Sequence, residues 1–268
     1  MTTTTLGKNL LAPMDAPLTG RGLSFGRLFR VEMRKQLDTR AGRGLLIAIG
    51  LITALVIGIS MWVGRKQGLS YDFLLAATVM PQGMLLPILG IVTICNEWSQ
   101  RTALVTFTQE PRRVRVLAAK ALAAMALGTG VLALTIALAA LGHVVSMTAA
   151  GKSSEIALSM GWTDLFGGWV MQMLSVLQGV AFGALLMSVP IAVGAFFLVP
   201  TIWAIVTAVW SPLTRLGAWI DLSQAQAPLM AGDQLTLRQW EQLGTAGLIW
   251  IALPLALGIW RTVRREVK

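Results

Sequence analysis

Charged residues are scarce in this sequence. Asp, Glu, Lys and Arg make up 13% of its 268 residues, about half the ~25% usual for a soluble domain. Long uncharged runs lie between them, and 55% of the residues are hydrophobic. That balance is the composition of a membrane protein. Cysteine is as scarce. Cys95 stands alone, which excludes an intramolecular disulfide and leaves a small apolar side chain at the end of a hydrophobic run. His143 is the sole histidine. One imidazole is too few for a metal centre; it reads as an interfacial or hydrogen-bonded histidine, with a substrate contact as the alternative. No catalytic Ser/His/Asp pattern or metal-ligand cluster is present. The only Gly-Lys-Ser, at 151–153, is not a phosphate loop. Such a loop needs a glycine five positions before the second one, and that place holds Ser146.

What is abundant is apolar length. Six runs, at residues 44–63, 73–95, 120–142, 165–188, 189–210 and 243–260, are each long enough to cross a hydrocarbon core of about 30 Å as a helix. The fourth and fifth nearly touch, and Pro190 marks the expected break between them. The expected fold class is therefore an all-α membrane protein with six transmembrane helices. The first run lies too far from residue 1, and is too long, for a cleaved signal peptide. The Thr-rich start, within residues 1–23, is expected to be a disordered tail.

The formal net charge is +10. In a soluble protein this would suggest nucleic acid; the placement of the charges argues against that partner. Lys8, Arg21, Arg27, Arg30, Arg34, Lys35, Arg40 and Arg43 precede the first run. Arg101, Arg112, Arg113, Arg115 and Lys120 lie between the second and third. Arg261, Arg264, Arg265 and Lys268 follow the last. Only Arg65, Lys66, Lys152, Arg215 and Arg238 fall on the other side. The positive-inside bias then puts both termini, the loop at 96–120 and the basic tail at 261–268 in the cytoplasm, with anionic headgroups attracting the excess cations. A multi-pass protein of the plasma (inner) membrane is the expected setting.

Inside the six runs no Asp, Glu, Lys or Arg occurs except Lys120, at one end. A charge in mid-membrane costs at least about 2.5–3.5 kcal/mol and is kept for function. Its absence speaks against a proton-coupled carrier. Milder polar groups remain. Gln172, Ser175 and Gln178 fall within about 120° of helix circumference, and Gln82 stands between Pro81 and Pro87. They read either as interhelical hydrogen bonds, worth about 0.6–2 kcal/mol, or as a candidate substrate pathway.

Two segments break the apolar pattern. In residues 24–43, Phe25, Leu28, Phe29, Met33 and Leu37 recur at spacings of three and four. They predict an amphipathic helix with one apolar stripe and cations on the other faces. Such a helix lies in the membrane interface, either joining the edge of the membrane domain or only fixing topology. The stretch at 96–120 is too charged for lipid and too apolar, through Leu104, Val105, Phe107, Val114, Val116 and Leu117, for a plain solvated loop. Thr102 is placed to N-cap a short helix with its hydroxyl. Pro111 suits the first turn of a second helix that runs unbroken into the third span. The arrangement is a short helix across the end of a stiff rod, which fits a docking surface for a soluble partner; a basic anchor for headgroups is the simpler reading, and it leaves Phe107 unexplained.

The succession Glu97, Arg101-Thr102, Pro111, Arg112-Arg113 and Lys120 resembles the region between the second and third spans of type-2 ATP-binding-cassette exporter permeases. Many members have Gly where this chain has Arg101. The six-span plan, the amphipathic helix before the first span, the outer segment at 211–242 and the basic exit are similar too. The resemblance implies a coupling helix near 102–109 seated in a groove of a separate ATP-binding-cassette ATPase subunit. Glu97, Arg101, Thr102, Phe107, Thr108, Pro111, Arg112 and Arg113 would form the docking region. It also implies a second permease copy or a sister permease, ATP and Mg on the ATPase alone, no cofactor or catalytic residue on this chain, and short outer helices capping an exit; by sequence alone, residues 211–242 could equally be an irregular loop. The function implied is alternating access for an amphipathic or hydrophobic substrate. A membrane anchor or sensor that recruits a cytosolic partner and transports nothing would also need the segment at 96–120. An adjacent reading frame carrying a phosphate loop would favour the exporter.

Overall fold

The computed structural model describes residues 24–100, 102–157, 161–210, 216–230 and 235–264. Arg101 and residues 1–23 and 265–268 lie outside the described residues. The described residues are helical, with no strand among them: α1 (Phe25–Asp38), α2 (Arg40–Val63), α3 (Tyr71–Ser99), α4 (Ala103–Gln109), α5 (Arg113–Ala149), α6 (Trp162–Leu186), α7 (Val189–Val209), α8 (Gly217–Ile220), α9 (Leu222–Met230) and α10 (Leu237–Arg264). Six of them, α2, α3, α5, α6, α7 and α10, are long and apolar enough to span a membrane. The protein is thus a multi-pass membrane protein by length and composition. Exposed Leu51, Leu55, Val63, Ile191, Leu198, Ile202 and Val209 on α2 and α7 give those helices the apolar outer surface that lipid requires.

Several boundaries differ from the expectation. The third span starts earlier, because α5 runs 37 residues from Arg113 to Ala149. At 1.5 Å per residue that is about 55 Å, well beyond a ~30 Å core. Pro111 is not in its first turn; it lies two residues before the helix, exposed, with Arg112 at the N-cap. Thr102 does occupy the N-cap of α4, but its hydroxyl makes no capping bond. Its carbonyl instead accepts from the amides of Val105 (3.1 Å) and Thr106 (3.3 Å). The fourth span ends at Leu186, where Met187 turns left-handed (φ 55°). Pro190 falls in the first turn of α7, where its missing N–H costs nothing. The sixth span begins earlier, at Leu237, and widens into a π-turn over Leu248–Ala252. Pro254 follows that turn, and a proline ring cannot enter a regular i→i−4 ladder. The Trp250 indole N–H in the widened turn donates to the Ile220 carbonyl (2.6 Å).

Helix α6 is the hub. Its Val176, Val180 and Ala184 meet Ile49, Leu86, Leu89, Ile94, Leu117, Ala124 and Val131 from α2, α3 and α5. Its Ala181 and Phe182 meet Leu222, Ala225, Leu229, Leu243 and Ala246. The segment at 211–242 therefore carries packed helices, although 211–215 and 231–234 lie outside the described residues. The α3–α6 contact is close because glycine lines it. A Cβ built on Gly179 would stand 2.1 Å from the Pro87 carbonyl oxygen, and one on Gly90 2.5 Å from that of Val176. Small residues at such crossings let backbones approach and replace missing hydrophobic drive with packing.

The described chain ends meet at one end of the bundle. Arg113, at the start of α5, donates to the Thr262 carbonyl near the end of α10, and Arg261 donates to the Leu185 carbonyl at the end of α6 (2.8 Å). Helices α1 and α4 lie at this same end. His143, at the opposite end, is buried and hydrogen-bonded as expected, its Nδ1 paired with the Leu69 carbonyl (2.7 Å). Cys95 is buried, and its thiol donates to the Gly183 carbonyl (3.4 Å).

Gly179→Ala forces backbone apart and is expected to cost about 1–3 kcal/mol, as overpacked cores do. Gly130→Ala, whose new methyl meets open space, is expected to hold or gain stability. Thermal unfolding of the two variants in detergent checks the contrast.

Candidate functional site

Helix α1 forms because Ser24 caps it, its Oγ accepting from the Arg27 amide (3.4 Å), and because its apolar residues recur at helical spacing. The face it turns to the protein is centred beside the apolar stripe. Leu28, Glu32 and Gln36, one residue per turn, are the buried ones. Within the stripe itself, Leu28 is buried, Phe29 and Met33 are half-buried, and Phe25 and Leu37 are exposed. The stripe thus borders the contact, and a carboxylate occupies its centre: Glu32 is 1% exposed.

That carboxylate enters a closed ring of charges. Lys35 Nζ lies 2.8 Å from Glu32 Oε1 and 2.8 Å from Glu97 Oε1. Lys120 Nζ lies 2.8 Å from Glu32 Oε2 and 3.1 Å from Glu97 Oε1. Two carboxylates and two ammonium groups alternate, so the net charge is zero and each charge has two opposite neighbours. Lys120 also reaches the Thr93 carbonyl (3.5 Å). Thr106, on α4, donates to Glu97 Oε1 (2.9 Å). The ring therefore joins α1, α3 and α5 directly and holds α4 through one hydroxyl. Burial by itself would lower the Lys35 pKa; hydrogen bonds to Glu32 and Glu97, with their charges, outweigh it and hold the group above its ordinary value.

Phe107 adds an apolar tie beside the ring. Its ring centroid is 6.1 Å from that of Trp98, the Arg113 guanidinium stands 4.9 Å over it, and it packs against the Leu28, Val116 and Ala119 cluster. Among the expected docking residues, Glu97, Phe107 and Arg113 thus face the base of the bundle. Thr102, Thr108, Pro111 and Arg112 are exposed, with the Thr108 hydroxyl donating back to the Val105 carbonyl (2.8 Å). The apolar side chains that α4 presents outward are Leu104 and Val105, 52% and 58% exposed. Glu110 is buried and braces the start of α5, accepting from the Arg112 amide (3.4 Å) and from Arg115 (3.3 Å).

The candidate pathway residues divide. Gln172 Nε2 donates to Gln82 Oε1 (3.3 Å), and Gln82 Nε2 donates to Thr135 Oγ1 (2.6 Å) and Thr53 Oγ1 (3.3 Å). This network pins α2, α3, α5 and α6 together. Gln82, Gln172 and Ser175 also line a cavity of about 410 Å³ between α3, α5, α6 and α9. Gln178 is buried but is not on that wall. Six residues past Gln172 is about 120° round the helix, against about 60° for Ser175.

Sequence reasoning missed Glu32, Lys35 and Thr106 as partners. Lys120 was the signal, because the sole charge inside an apolar run needs a counter-charge. Glu32, one of two acids on a basic helix, was an available candidate. No family model matches the chain, and no curated protein matches it.

Lys120→Met leaves two buried carboxylates sharing one ammonium and is expected to cost on the order of 3–5 kcal/mol. Adding Glu32→Gln restores the balance and should recover much of the loss; simple addition of the two losses in thermal unfolding would refute the ring. The Lys35 pKa is raised, so its contribution is complete below the ordinary lysine value of 10.5 and is lost as pH rises through the folded value. Unfolding midpoints should therefore drop more steeply above about pH 10.5 in the wild type than in Lys35→Met.

Proposed function

We propose that this chain is the membrane-spanning permease subunit of an ATP-driven exporter, worked by a separate ATPase that docks on α4. The observation that carries this reading is the mounting of α4. A seven-residue helix lies across the end of the bundle with Leu104 and Val105 outward, held by Glu97 through Thr106 and by the Phe107 stack. An exposed apolar pair on a braced charged end fits a protein groove better than water. Force applied there has a rigid route. It passes to the base of α3 through Glu97, and to α5 through Lys120 and Arg113. Helix α5 then carries it about 55 Å past the cavity wall at Leu132 and Ile136.

On this reading the polypeptide breaks no bonds. ATP and Mg bind the partner, the ATPase pair closes, and α4 moves with it; a second permease, identical or a sister, completes the route. The cytoplasmic placement of α4 rests on the Lys and Arg bias. The charge ring makes α1 part of the moving base, because moving α3 and α4 away from α1 would part Glu97 from Lys35 and leave two ammonium groups on Glu32.

Leu104→Asp and Val105→Asp are expected to lose the ATPase on co-purification while keeping the wild-type elution profile and unfolding midpoint. Retention of the ATPase by both variants would remove the docking assignment.

A further inference from the structure

The glutamine network that ties four helices has a loose end, and it lies at the cavity between α3, α5, α6 and α9. The direction of the network is set from one side. Thr135 Oγ1 donates its proton to the Val131 carbonyl (2.8 Å), so toward Gln82 Nε2 (2.6 Å) it only accepts. Gln82 Nε2 also donates to Thr53 Oγ1 (3.3 Å), which leaves Gln82 Oε1 to accept from Gln172 Nε2 (3.3 Å). The Gln172 carbonyl oxygen is what remains. It accepts from no described residue, although Gln172 is only 8% exposed. The oxygen is nonetheless accessible, unlike the sealed and orphaned amide of Gln36, and the space that Gln172 lines is the cavity. Ser175 lines the same cavity. Three residues on, it is a neighbour of Gln172 on one face of α6. Thr93, Thr135 and Thr262 return their hydroxyls to the carbonyl four residues back. The Ser175 hydroxyl does not, and it has no partner among the described residues. A buried acceptor and a free hydroxyl therefore stand side by side. The charged residues among the described lining ones are Asp72 and Asp164. Both are engaged, Asp164 with the Gly161 amide (3.0 Å) and Asp72 with a partner as well. They lie ten and eight residues along their helices from Gln82 and Gln172, about 12–15 Å away.

We infer that this cavity binds an uncharged amphipathic molecule whose polar end both donates and accepts a hydrogen bond, as a carboxamide or a hydroxyl does. Its donor meets Gln172 Oε1, its acceptor takes the Ser175 proton, and its apolar body lies along Leu75, Val79, Ile136 and Met171. The volume of about 410 Å³ falls in the ~300–1,000 Å³ range of small-molecule sites, whose walls are mostly apolar with a few polar anchors. A full charge carried to the depth of Gln172 would leave water with no counter-charge beside it, a costly transfer. A molecule of the same shape without a donor would cover the Gln172 oxygen and leave it unpaired, which is how a hydrogen-bonding site rejects an analogue. Thr53 and Thr135 already hold the network, so the polar end of the site is formed before a ligand arrives. That such a molecule is the transported substrate rests on the permease reading; the binding site itself does not.

The test uses the full chain in neutral-lipid nanodiscs and measures saturable binding of labelled 2-naphthamide over empty nanodiscs. N,N-dimethyl-2-naphthamide keeps the rings and the carbonyl but has no N–H, and is expected to bind at least tenfold more weakly. The charged relatives 2-naphthoate and 2-naphthylmethylammonium should be at least tenfold weaker too. Ser175→Ala removes a hydroxyl with no described protein partner and should weaken 2-naphthamide three- to tenfold. Gln172→Met should bring the primary and the dimethyl amide to equal affinity. That change also unties Gln82, so Gly168→Leu supplies an independent variant. Gly168 lines the cavity one turn before Gln172, and a Cβ there meets nothing within 4 Å. Its leucine should abolish saturable binding with elution and unfolding unchanged. Equal binding of the two amides by the wild type, tighter binding of either charged relative, affinity untouched by Ser175→Ala, or binding that survives Gly168→Leu overturns the site. If the ATPase co-purifies but 2-naphthamide does not bind, this inference falls and the permease reading stands. If 2-naphthamide binds as expected and no ATPase is held, the site stands and the exporter reading falls.

Discussion

Four charges closed into a ring at one end of an apolar bundle are the constraint from which the rest follows. Glu32, Lys35, Glu97 and Lys120 contact one another within 3.1 Å, and three of the four are at most 8% exposed. A buried ion removed from water costs several kcal/mol unless it is paired and hydrogen-bonded. Each member needs the others, so α1, α3 and α5 cannot drift apart singly. The ring adds little net stability over an apolar packing of equal volume. What it supplies is a fixed register for one short helix and the bases of two spans.

Fixing that base matters because the helices above it differ in how they are held. Helices α3 and α6 cross on Gly90 and Gly179 with their backbones almost touching. Helix α5 is one unbroken rod. Helices α2 and α7 present Leu55, Ile202 and their neighbours outward and are held less by protein. On the proposed reading, a displacement entering at α4 reaches α3 and α5 first, which are two walls of the cavity.

The cavity and the ring sit at opposite ends of the same helices. Asp72 opens α3 and Glu97 lies near its close. Carboxylates mark both ends: two ammonium groups neutralise those of the ring, and Asp72 and Asp164 line the cavity at the other. The Gln82 network between them keeps four helices in contact at the depth where lipid offers no hydrogen bonds.

The sequence by itself determined what one-dimensional physics can determine. Six apolar runs must be helices in lipid, because the backbone has no other partner there. The charges of the stretch at 96–120 argued for a place outside the lipid, and Lys120 had to find a counter-charge. Only the tertiary structure decided which counter-charge. Glu32 lies 88 residues away, beside the apolar stripe of its helix, and no local period encodes a contact of that separation. The same holds for Phe107, which the resemblance placed in the docking region. Trp98 and Arg113 turn it inward and leave Leu104 and Val105 outside. Gln172, Ser175 and Gln178 fell within one broad face by spacing, and only the packed helices put the first two on the cavity wall and left the third off it. Membrane helices are specified by composition along the chain; their partners are specified by surfaces that exist only once the helices stand side by side.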